Sequence, residues 1–222
     1  MIIHSNNAAS CKRDFLFKLV PQNVRQNLKL DDEALFSTTD QLTADKIACD
    51  ILKFLPKTST ITDATACIGG SAYSFSQVFE KVYAIELDST RFKHMVHNFE
   101  QLNCKNVHCI NGDALNEVKS IHQDVIFIDP PWGGPEYKAK AKLTLYLSGV
   151  NIAEACIAYS KTIPYVVLKV PTNFDEATFL ESIKAHLKLV HKNQNLRKMH
   201  LLILQSVNSP MSYLSPRNPL ST

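Results

Sequence analysis

The chain has 222 residues, of which 45% are hydrophobic and 20% charged, and this composition excludes a wholly disordered or collagen-like protein. The 24 basic residues only slightly outnumber the 21 acidic ones, giving a net charge of +3, so any contact with nucleic acid must be local. No apolar run approaches the ~18 residues of a membrane span, and the first residues lack a secretory pattern. We therefore expect an intracellular protein that does not enter a membrane.

The six cysteines are scattered, and no two of them form a Cys-x-x-Cys pair. This spacing argues against a zinc site, and an intracellular chain is not expected to carry structural disulfides. We therefore predict free, buried thiols and no bound metal. The cysteines are Cys11, Cys49, Cys67, Cys104, Cys109 and Cys156.

Hydrophobic periodicity predicts a short amphipathic helix at 11–20 and a longer helix at 40–55, which Pro56 ends. Strands and helices then alternate. Strands are predicted at 61–64, 82–86, 107–110, 124–128 and 165–169, and helices at 71–80, 89–102, 149–160 and 174–185. The last two strands, 186–191 and 198–205, leave no room for a helix between them and must pair antiparallel.

This alternation predicts an α/β fold with a seven-stranded, mostly parallel sheet, an antiparallel last strand and helices on both faces. Ser89 is the predicted cap of the helix at 89–102. We divide the chain into an amino-terminal extension at 1–38, a main domain at 39–205 and a disordered tail at 206–222, which is rich in serine and proline. Ligands of such sheets bind beyond the carboxyl ends of the strands, beside the first strand.

A loop with two adjacent glycines, Gly69 and Gly70, follows the first predicted strand. Adjacent glycines let backbone approach a ligand closely, and Asp63 supplies a carboxylate at the strand end. The loop departs from the G-x-G-x-x-G dinucleotide fingerprint, so an ordinary tight turn explains it equally well.

Acidic residues also end the next two strands. Glu86 lies 23 residues after Asp63, at the spacing where a carboxylate accepts hydrogen bonds from both hydroxyls of a ribose. Asp113 follows the third strand and is placed to face an adenine amino group. Three acidic strand ends in succession favour a nucleoside site more strongly than any one of them alone.

The fourth strand leads into the sequence Asp129-Pro-Pro-Trp132-Gly-Gly. The prolines fix an extended loop and the glycines permit a sharp turn. Trp132, the only tryptophan, has glycine and proline neighbours, which favours an exposed ring over a core residue. An exposed indole can stack on a purine, and a cationic purine adds a cation–π attraction of ~0.5–2 kcal/mol. The loop thus indicates methylation of an amino nitrogen on a base.

Residues 63–137 resemble a Rossmann-like class I methyltransferase that uses S-adenosylmethionine. The hexapeptide that begins at Pro130 closely resembles the signature of the trimethylguanosine synthase family, the RNA cap guanine-N2 methyltransferases, and the segment 29–39 resembles another part of that family. The resemblance implies S-adenosylmethionine as cofactor and 7-methylguanosine-capped RNA as substrate. It also implies action in the nucleus or cytoplasm, and we expect a monomer.

The resemblance also assigns roles to individual residues. Asp63 and Gly69 would border the methionine and ribose of the cofactor, Glu86 would hold the ribose, Asp113 would face adenine, and Phe36 and Thr39 would close the pocket. Pro130 and Pro131 would line up the acceptor amine, and Trp132 would stack on 7-methylguanine. The chemistry of Asp129, and not the resemblance, makes it a further candidate, since its carboxylate could hold the hydrogens of the amine and border the cofactor. Lys138, Lys169 and Asn173 are further candidates for substrate binding.

Two departures from the family pattern leave alternatives open. Asp129 stands where the family usually has serine, as it does in many N6-adenine methyltransferases, so methylation of adenine in DNA or RNA is one alternative. The family's arginine after the fifth strand is replaced by threonine, and Lys169, or the lysines at 138, 140 and 142, would have to bind phosphate instead. A catalytically inactive cap-binding scaffold is the other alternative.

Overall fold

The computed structural model describes residues 12–208, and these form a seven-stranded sheet. Its strands are β1 (Thr60–Asp63), β2 (Lys81–Glu86), β3 (Val107–Asn111), β4 (Val125–Ile128), β7 (Tyr165–Pro171), β8 (Leu187–Leu196) and β9 (Met199–Ser206). Their order in the sheet is β3-β2-β1-β4-β7-β9-β8. The first five are parallel, and β9 runs antiparallel to both of its neighbours. The predicted fold class is confirmed.

Eight short α-helices connect the strands or precede them in the described part of the chain. They are α1 (Gln22–Arg25), α2 (Ala34–Ser37), α3 (Gln41–Ile51), α4 (Gly70–Ser76), α5 (Ser89–Gln101), α6 (Ala114–Glu117), α7 (Ile152–Ser160) and α8 (Glu176–Ile183). Residues 12–16 are also helical, within the predicted 11–20 segment. Two 3₁₀ turns, Val118–Ser120 and Gly134–Ala139, complete the connections.

Two helix starts differ from prediction. Asp88, and not Ser89, caps α5, because its carboxylate accepts the N–H groups of Thr90 and Arg91. The helix predicted from 149 begins only at Ile152, because a two-residue hairpin of β5 (Tyr146–Leu147) and β6 (Val150–Asn151) precedes it. Gly149 takes a φ of +83° in that hairpin turn, a backbone conformation incompatible with a helix.

The sheet is buried on both faces, as parallel sheets usually are. In β4, Val125 and Phe127 pack on the side of α3, α4 and α5, whereas Ile126 and Ile128 pack on the side of α7 and α8. Every residue of β4 is buried. This explains the unbroken apolar run before Asp129, and it fixes the point where the chain leaves the core.

The amino-terminal extension is anchored to the sheet domain. Its apolar side chains form a small core with Ile68 of the glycine loop. Asn98 of α5 is fully buried and joins the two segments: its Oδ1 accepts the Lys29 N–H at 2.7 Å, and its Nδ2 donates to the carbonyls of Lys29 at 3.0 Å and Ile68 at 3.1 Å. The extension therefore lies against the loop that follows β1.

Further predictions concern the tail, the thiols and possible metal or membrane contacts. Strand β9 includes Ser206, and the predicted tail from 209 onward lies outside the described residues, as does Cys11. The five described cysteines are free, but only Cys156 is fully buried and Cys49 is exposed, so uniform burial was wrong. No helix within residues 12–208 is long and apolar enough to cross a membrane, and these residues form no His, Cys, Asp or Glu cluster that could hold a metal ion.

Candidate active site

The carboxyl ends of three adjacent parallel strands bring acidic side chains to one edge of the sheet. Asp63 ends β1, Glu86 ends β2 and Asp129 follows β4. A pocket opens beside them, between the end of the extension and the glycine loop. It is lined by Ser37, Thr38, Thr39, Thr65, Ala66, Cys67, Gly70, Ser71 and Asp129.

Asp63 carries an unpaired acceptor at this edge. The side chain is 1% exposed; its Oδ1 accepts the Thr65 N–H at 3.1 Å, but its Oδ2 has no partner among residues 12–208. Burial, together with the nearby carboxylates of Asp129 and Glu86, raises the pKa of Asp63 to about 7. A buried acceptor without a partner is costly, so this oxygen suits a ligand that brings its own N–H or O–H donor.

Glu86 is almost completely buried and is held by two backbone donors. The N–H of Cys67 donates to Oε2 at 2.9 Å and that of Asp88 to Oε1 at 2.8 Å. Cys67 has a φ of +53°, an uncommon conformation for a residue other than glycine. The Arg91 side chain also contacts Oε1, at 3.5 Å. Because a carboxylate offers about four lone-pair sites, Glu86 retains the capacity to accept a further hydrogen bond from a ribose hydroxyl.

The two adjacent glycines are required by internal packing. A Cβ on Gly69, whose φ is +96°, would lie 2.6 Å from the Phe99 ring, and a Cβ on Gly70 would lie 2.4 Å from the Thr38 side chain. The glycines therefore let α5 and the extension approach the loop. This packing does not bear on the predicted contact between Gly69 and the cofactor, which stays a prediction.

Asp113 and Phe36, which are both predicted to contact the cofactor, lie in different surroundings. Asp113 caps α6 by accepting the Leu115 N–H at 3.0 Å, and the Ser148 hydroxyl donates to the same oxygen at 3.0 Å. Phe36 is 86% exposed, so its ring does not close the pocket in this structure. Helix α2 turns that ring outward, and the three residues that follow Phe36 line the pocket instead.

The loop after β4 is held at both ends. The Asp129 N–H donates to the Thr65 hydroxyl at 2.8 Å, Pro130 is buried and Pro131 is exposed. Trp132 is half-buried and packs edge-on against Tyr137, with ring centres 5.2 Å apart, and its Nε1 lacks a partner in the described part of the chain. The expectation of a freely exposed ring was therefore only partly right, since one part of the indole belongs to the core.

Lys169 and Asn173 are engaged within the protein. Lys169 is 4% exposed; its ammonium pairs with Asp129, donates to the Thr39 hydroxyl at 2.9 Å and lies 5.1 Å from the centre of the Trp132 ring. This burial argues against the expected phosphate contact of Lys169. Asn173 Nδ2 donates to the carbonyls of Tyr137 and Lys140, each at 2.8 Å, so it fastens the loop behind Trp132. Lys138, by contrast, is exposed.

Sequence reasoning missed two residues that build the site, Thr65 and Asn98. It also missed that Lys169 pairs with Asp129. A polar Asn98 among the apolar positions of an amphipathic helix was a readable signal, because a buried amide needs partners. The pairing of Lys169 with Asp129 had no such signal, since it depends on the pairing of β7 with the neighbouring strand β4, 40 residues earlier in the chain.

Comparisons with known proteins show the family and the fold to which the chain is similar. The family model for RNA cap guanine-N2 methyltransferases matches residues 58–214. Trimethylguanosine synthase of Schizosaccharomyces pombe is 30% identical over 162 residues, which cover 68% of this chain and 65% of that protein. An uncharacterized protein of Acanthamoeba polyphaga mimivirus is 33% identical over 135 residues, covering 59% of this chain and 53% of its own length. The chain thus spans between about half and two thirds of these relatives.

Solved structures share the fold at low sequence identity. A Listeria monocytogenes protein assigned to the class I S-adenosylmethionine-dependent methyltransferases has a TM-score of 0.59 at 15% identity, covering 82% of this chain and 64% of that one. A Streptococcus mutans protein assigned as a methyltransferase and solved with S-adenosylhomocysteine has a TM-score of 0.51 at 16% identity, covering 73% and 97%. The cofactor is S-adenosylmethionine, and the chain belongs to the RNA cap guanine-N2 methyltransferase family.

Proposed function

We propose that this protein transfers a methyl group from S-adenosylmethionine to the exocyclic N2 of a 7-methylguanosine RNA cap. The observation that carries the proposal is the position of Trp132, which follows Asp129, Pro130 and Pro131 in the loop that leaves β4 at the carboxyl edge of the sheet. Asp129, at the start of that loop, lines the pocket. Tyr137 and Lys169 brace the ring from within. A braced indole in this loop is suited to stacking on a cap base.

The residues at the edge fit the cofactor. The unpaired Oδ2 of Asp63 would accept from a donor of the cofactor, Glu86 would hold the ribose hydroxyls and Asp113 would face adenine. Thr39 and its neighbours at 37–38 would line the methionine end. When bound, S-adenosylmethionine supplies an electrophilic methyl group on a sulfonium.

The task of the chain's own residues is to orient the acceptor amine. An amine conjugated with its ring is a poor nucleophile, and acceptors that hold its hydrogens turn its lone pair toward the methyl group. The Asp129 carboxylate and the Pro130 carbonyl are the acceptors at this position. Placing the two reactants in line contributes up to ~7–11 kcal/mol to lowering the barrier. Because the proton can leave after transfer, Asp129 orients the amine and need not be a general base.

Recognition of the cap rests on charge. A 7-methylguanine ring is cationic, so an indole face attracts it by about 0.5–2 kcal/mol more than it attracts neutral guanine. The Lys169 ammonium near the indole is neutralised by Asp129. A substrate of this kind would place the protein in the nucleus or cytoplasm.

The test is a methyl-transfer assay on three RNAs of one sequence, with a 7-methylguanosine cap, an unmethylated guanosine cap or no cap. Mass spectrometry of the digested products would report both the base that was modified and the number of methyl groups added. We expect transfer to the 7-methylguanosine cap alone. Equal transfer to all three RNAs would contradict the proposal.

The carboxylate of Asp129 favours a second candidate, N6-adenine methylation of DNA or RNA. A carboxylate accepts the hydrogens of an adenine amine as readily as those of guanine N2. Uncapped adenine-containing RNA and DNA in the same assay would separate the two activities. Calorimetric titration with S-adenosylhomocysteine addresses the inactive-scaffold alternative, because a scaffold that has lost its cofactor site would release no binding heat.

A further inference from the structure

Three side chains form a closed polar cluster beneath the candidate acceptor site. The Lys169 ammonium contacts both the Asp129 carboxylate and the Thr39 hydroxyl, and that hydroxyl also hydrogen-bonds to Asp129. The cluster joins β7, the loop after β4 and the start of α3. Trp132 closes it on one side, with its ring centre 5.1 Å from the ammonium.

Lys169 has little capacity left for an external ligand. Two of the three donors of its ammonium are directed to Asp129 and Thr39, and the charge also faces the indole. A lysine that is 4% exposed is stable only when it is paired. The charge of Lys169 therefore interacts with the protein's own groups, and we do not assign it to a cap phosphate.

Asp129, in contrast, keeps access to the pocket. Its side chain is 15% exposed and lines the same pocket as Thr39, Thr65 and Cys67. Its backbone is fixed by the bond from its N–H to the Thr65 hydroxyl. Asp129 thus contacts Lys169 on one side and opens to the pocket on the other. Its carboxylate is therefore directed at a ligand in the pocket.

We propose that Lys169 is a positioning residue, which holds the Asp129 carboxylate against Thr39 in the orientation that receives the hydrogens of the acceptor amine. The inference rests on the proposed amine-methylating function and assigns the orientation of the amine to a buried ion pair. Lys169 itself touches neither substrate nor cofactor; it acts through Asp129.

The charges around Asp129 explain why it needs this partner. Asp63 on β1 and Glu86 on β2 also carry carboxylates at this edge, and Lys169 on β7 opposes them. Burial already raises the pKa of Asp129, and the ammonium lowers it. Removing the ammonium should raise that pKa further, so the ionised form would become available only at higher pH.

The decisive experiment is a double-mutant cycle of K169M, D129N and K169M/D129N, measured with capped RNA. We expect K169M to lower kcat about 10–100-fold at pH 7, as misplacement of a reacting group does, and to leave the dissociation constant of S-adenosylhomocysteine within about twofold. The kcat of K169M should rise with pH more steeply than that of the parent protein. In the D129N background the same substitution should leave kcat unchanged, because the group that Lys169 positions is already gone.

Stability should respond in the opposite sense, which separates positioning from folding. D129N leaves a buried ammonium unpaired, so K169M/D129N should melt at a higher temperature than D129N while keeping the same kcat. If K169M alone does not fold, this pair of variants supplies the test. K192M is the matched control, because Lys192 on β8 also forms an ion pair, with Glu176 of α8 at 2.7 Å. The kcat of K192M should equal that of the parent protein.

Three results would overturn the inference: an unchanged kcat in K169M, an equal loss of kcat in both backgrounds, or parallel losses of kcat and cofactor affinity. Failure of the proposed function looks different, because the parent protein would then transfer no methyl group to capped RNA. A measurement without any acceptor still decides the inference in that case. With S-adenosylhomocysteine bound, D129N should lower the melting temperature of the parent protein more than it lowers that of K169M, and an equal effect in both backgrounds would reject the pairing.

Discussion

Among single side chains, Asp63 couples the fold to pH. Its pKa is raised to about 7 in the folded protein, against 3.8 as its ordinary value, chiefly by burial. A carboxyl group with a raised pKa contributes stability that is fully present below pH 3.8 and is lost as the pH rises through about 7. The ligand-free protein therefore carries an unfavourable buried charge above neutral pH.

We predict that the free energy of unfolding of the ligand-free protein falls by about 1.4 kcal/mol between pH 6 and 8 because of Asp63, equivalent to ~3–6 °C in Tm. D63N should lack this contribution, since an amide does not titrate in that range. Thermal melts of both proteins across the pH range measure the difference. Parallel pH profiles would show that Asp63 does not titrate near 7.

Trp132 is the second side chain with a testable role. We predict that W132A weakens binding to a 7-methylguanosine cap at least tenfold, on the order of one lost base stack plus its cation–π attraction, and that W132F retains part of it. The dissociation constant of S-adenosylhomocysteine should barely change, because the cofactor site lies over β1 to β3. Cap and cofactor titrations on each variant provide the measurement.

Melting curves control for the packed part of the indole. Because Trp132 is half-buried, W132A should cost less than the ~3–5 kcal/mol of a fully buried aromatic. F15A is a suitable comparison, since the Phe15 ring is also faced by cations, Lys12 at 5.3 Å and Arg197 at 5.5 Å. A folded W132A protein that methylates caps at the parental rate would remove the case for a cap enzyme.

At the scale of elements, the extension and the glycine loop form one unit through Asn98. We predict that N98A destabilises the protein by about 1–3 kcal/mol, because buried backbone groups of Lys29 and Ile68 lose their partner. It should also expose residues 12–38 to proteolysis and weaken S-adenosylhomocysteine binding. Limited proteolysis and calorimetry on the same sample measure both effects.

N106A serves as the control for this substitution. The Asn106 amide donates to the carbonyls of Ser76 and Phe79 at 2.9 Å each, so its loss is also destabilising but does not involve the extension. Equal protease sensitivity of residues 12–38 in N98A and N106A would mean that Asn98 does not anchor the extension.

Element boundaries show what the sequence could and could not predict. Strand positions followed from apolar runs, since a sheet buried on both faces requires them, and the acidic strand ends followed from the strands. The α5 cap was misplaced by one residue because Asp88 and Ser89 are both good caps. The β5–β6 hairpin was missed because its turn depends on positive φ at Ser148 and Gly149, a local choice that helical propensity in the next segment obscures.

At the scale of the whole molecule, the small net charge makes the position of the lysines decisive. Lys138 and Lys140 lie exposed on the loop behind Trp132. We predict that K138A/K140A reduces the slope of log affinity against log salt for capped RNA by up to ~1.4, or about 0.7 per lost phosphate contact. Affinity for the 7-methylguanosine nucleoside should be unchanged, because it has no phosphate.

Salt titrations of RNA binding measure this slope. K161A is the control, because Lys161 follows the carboxyl end of α7, away from the candidate site. A slope that changes equally in K161A and in K138A/K140A would indicate diffuse attraction with no phosphate path along this loop.

The structure places the side chains of Lys169 and Phe36 differently from what their predicted roles require, and for one shared reason: side-chain direction depends on contacts between distant segments. Local pattern placed Lys169 at the end of a strand, but only the assembled sheet shows that its ammonium turns inward to Asp129. The same holds for Phe36, whose ring points to solvent while its neighbours line the pocket.

Thr39, Asp129 and Lys169, which form the polar cluster, are synthesised at different times during translation. Thr39 precedes Lys169 by 130 residues and Asp129 precedes it by 40. At ~5–20 residues per second, about 2–8 s pass between the synthesis of Asp129 and that of its cation. A nascent chain that stops before β7 would carry the whole glycine loop and every acidic strand end, yet Asp129 would still lack the cation that pairs with it.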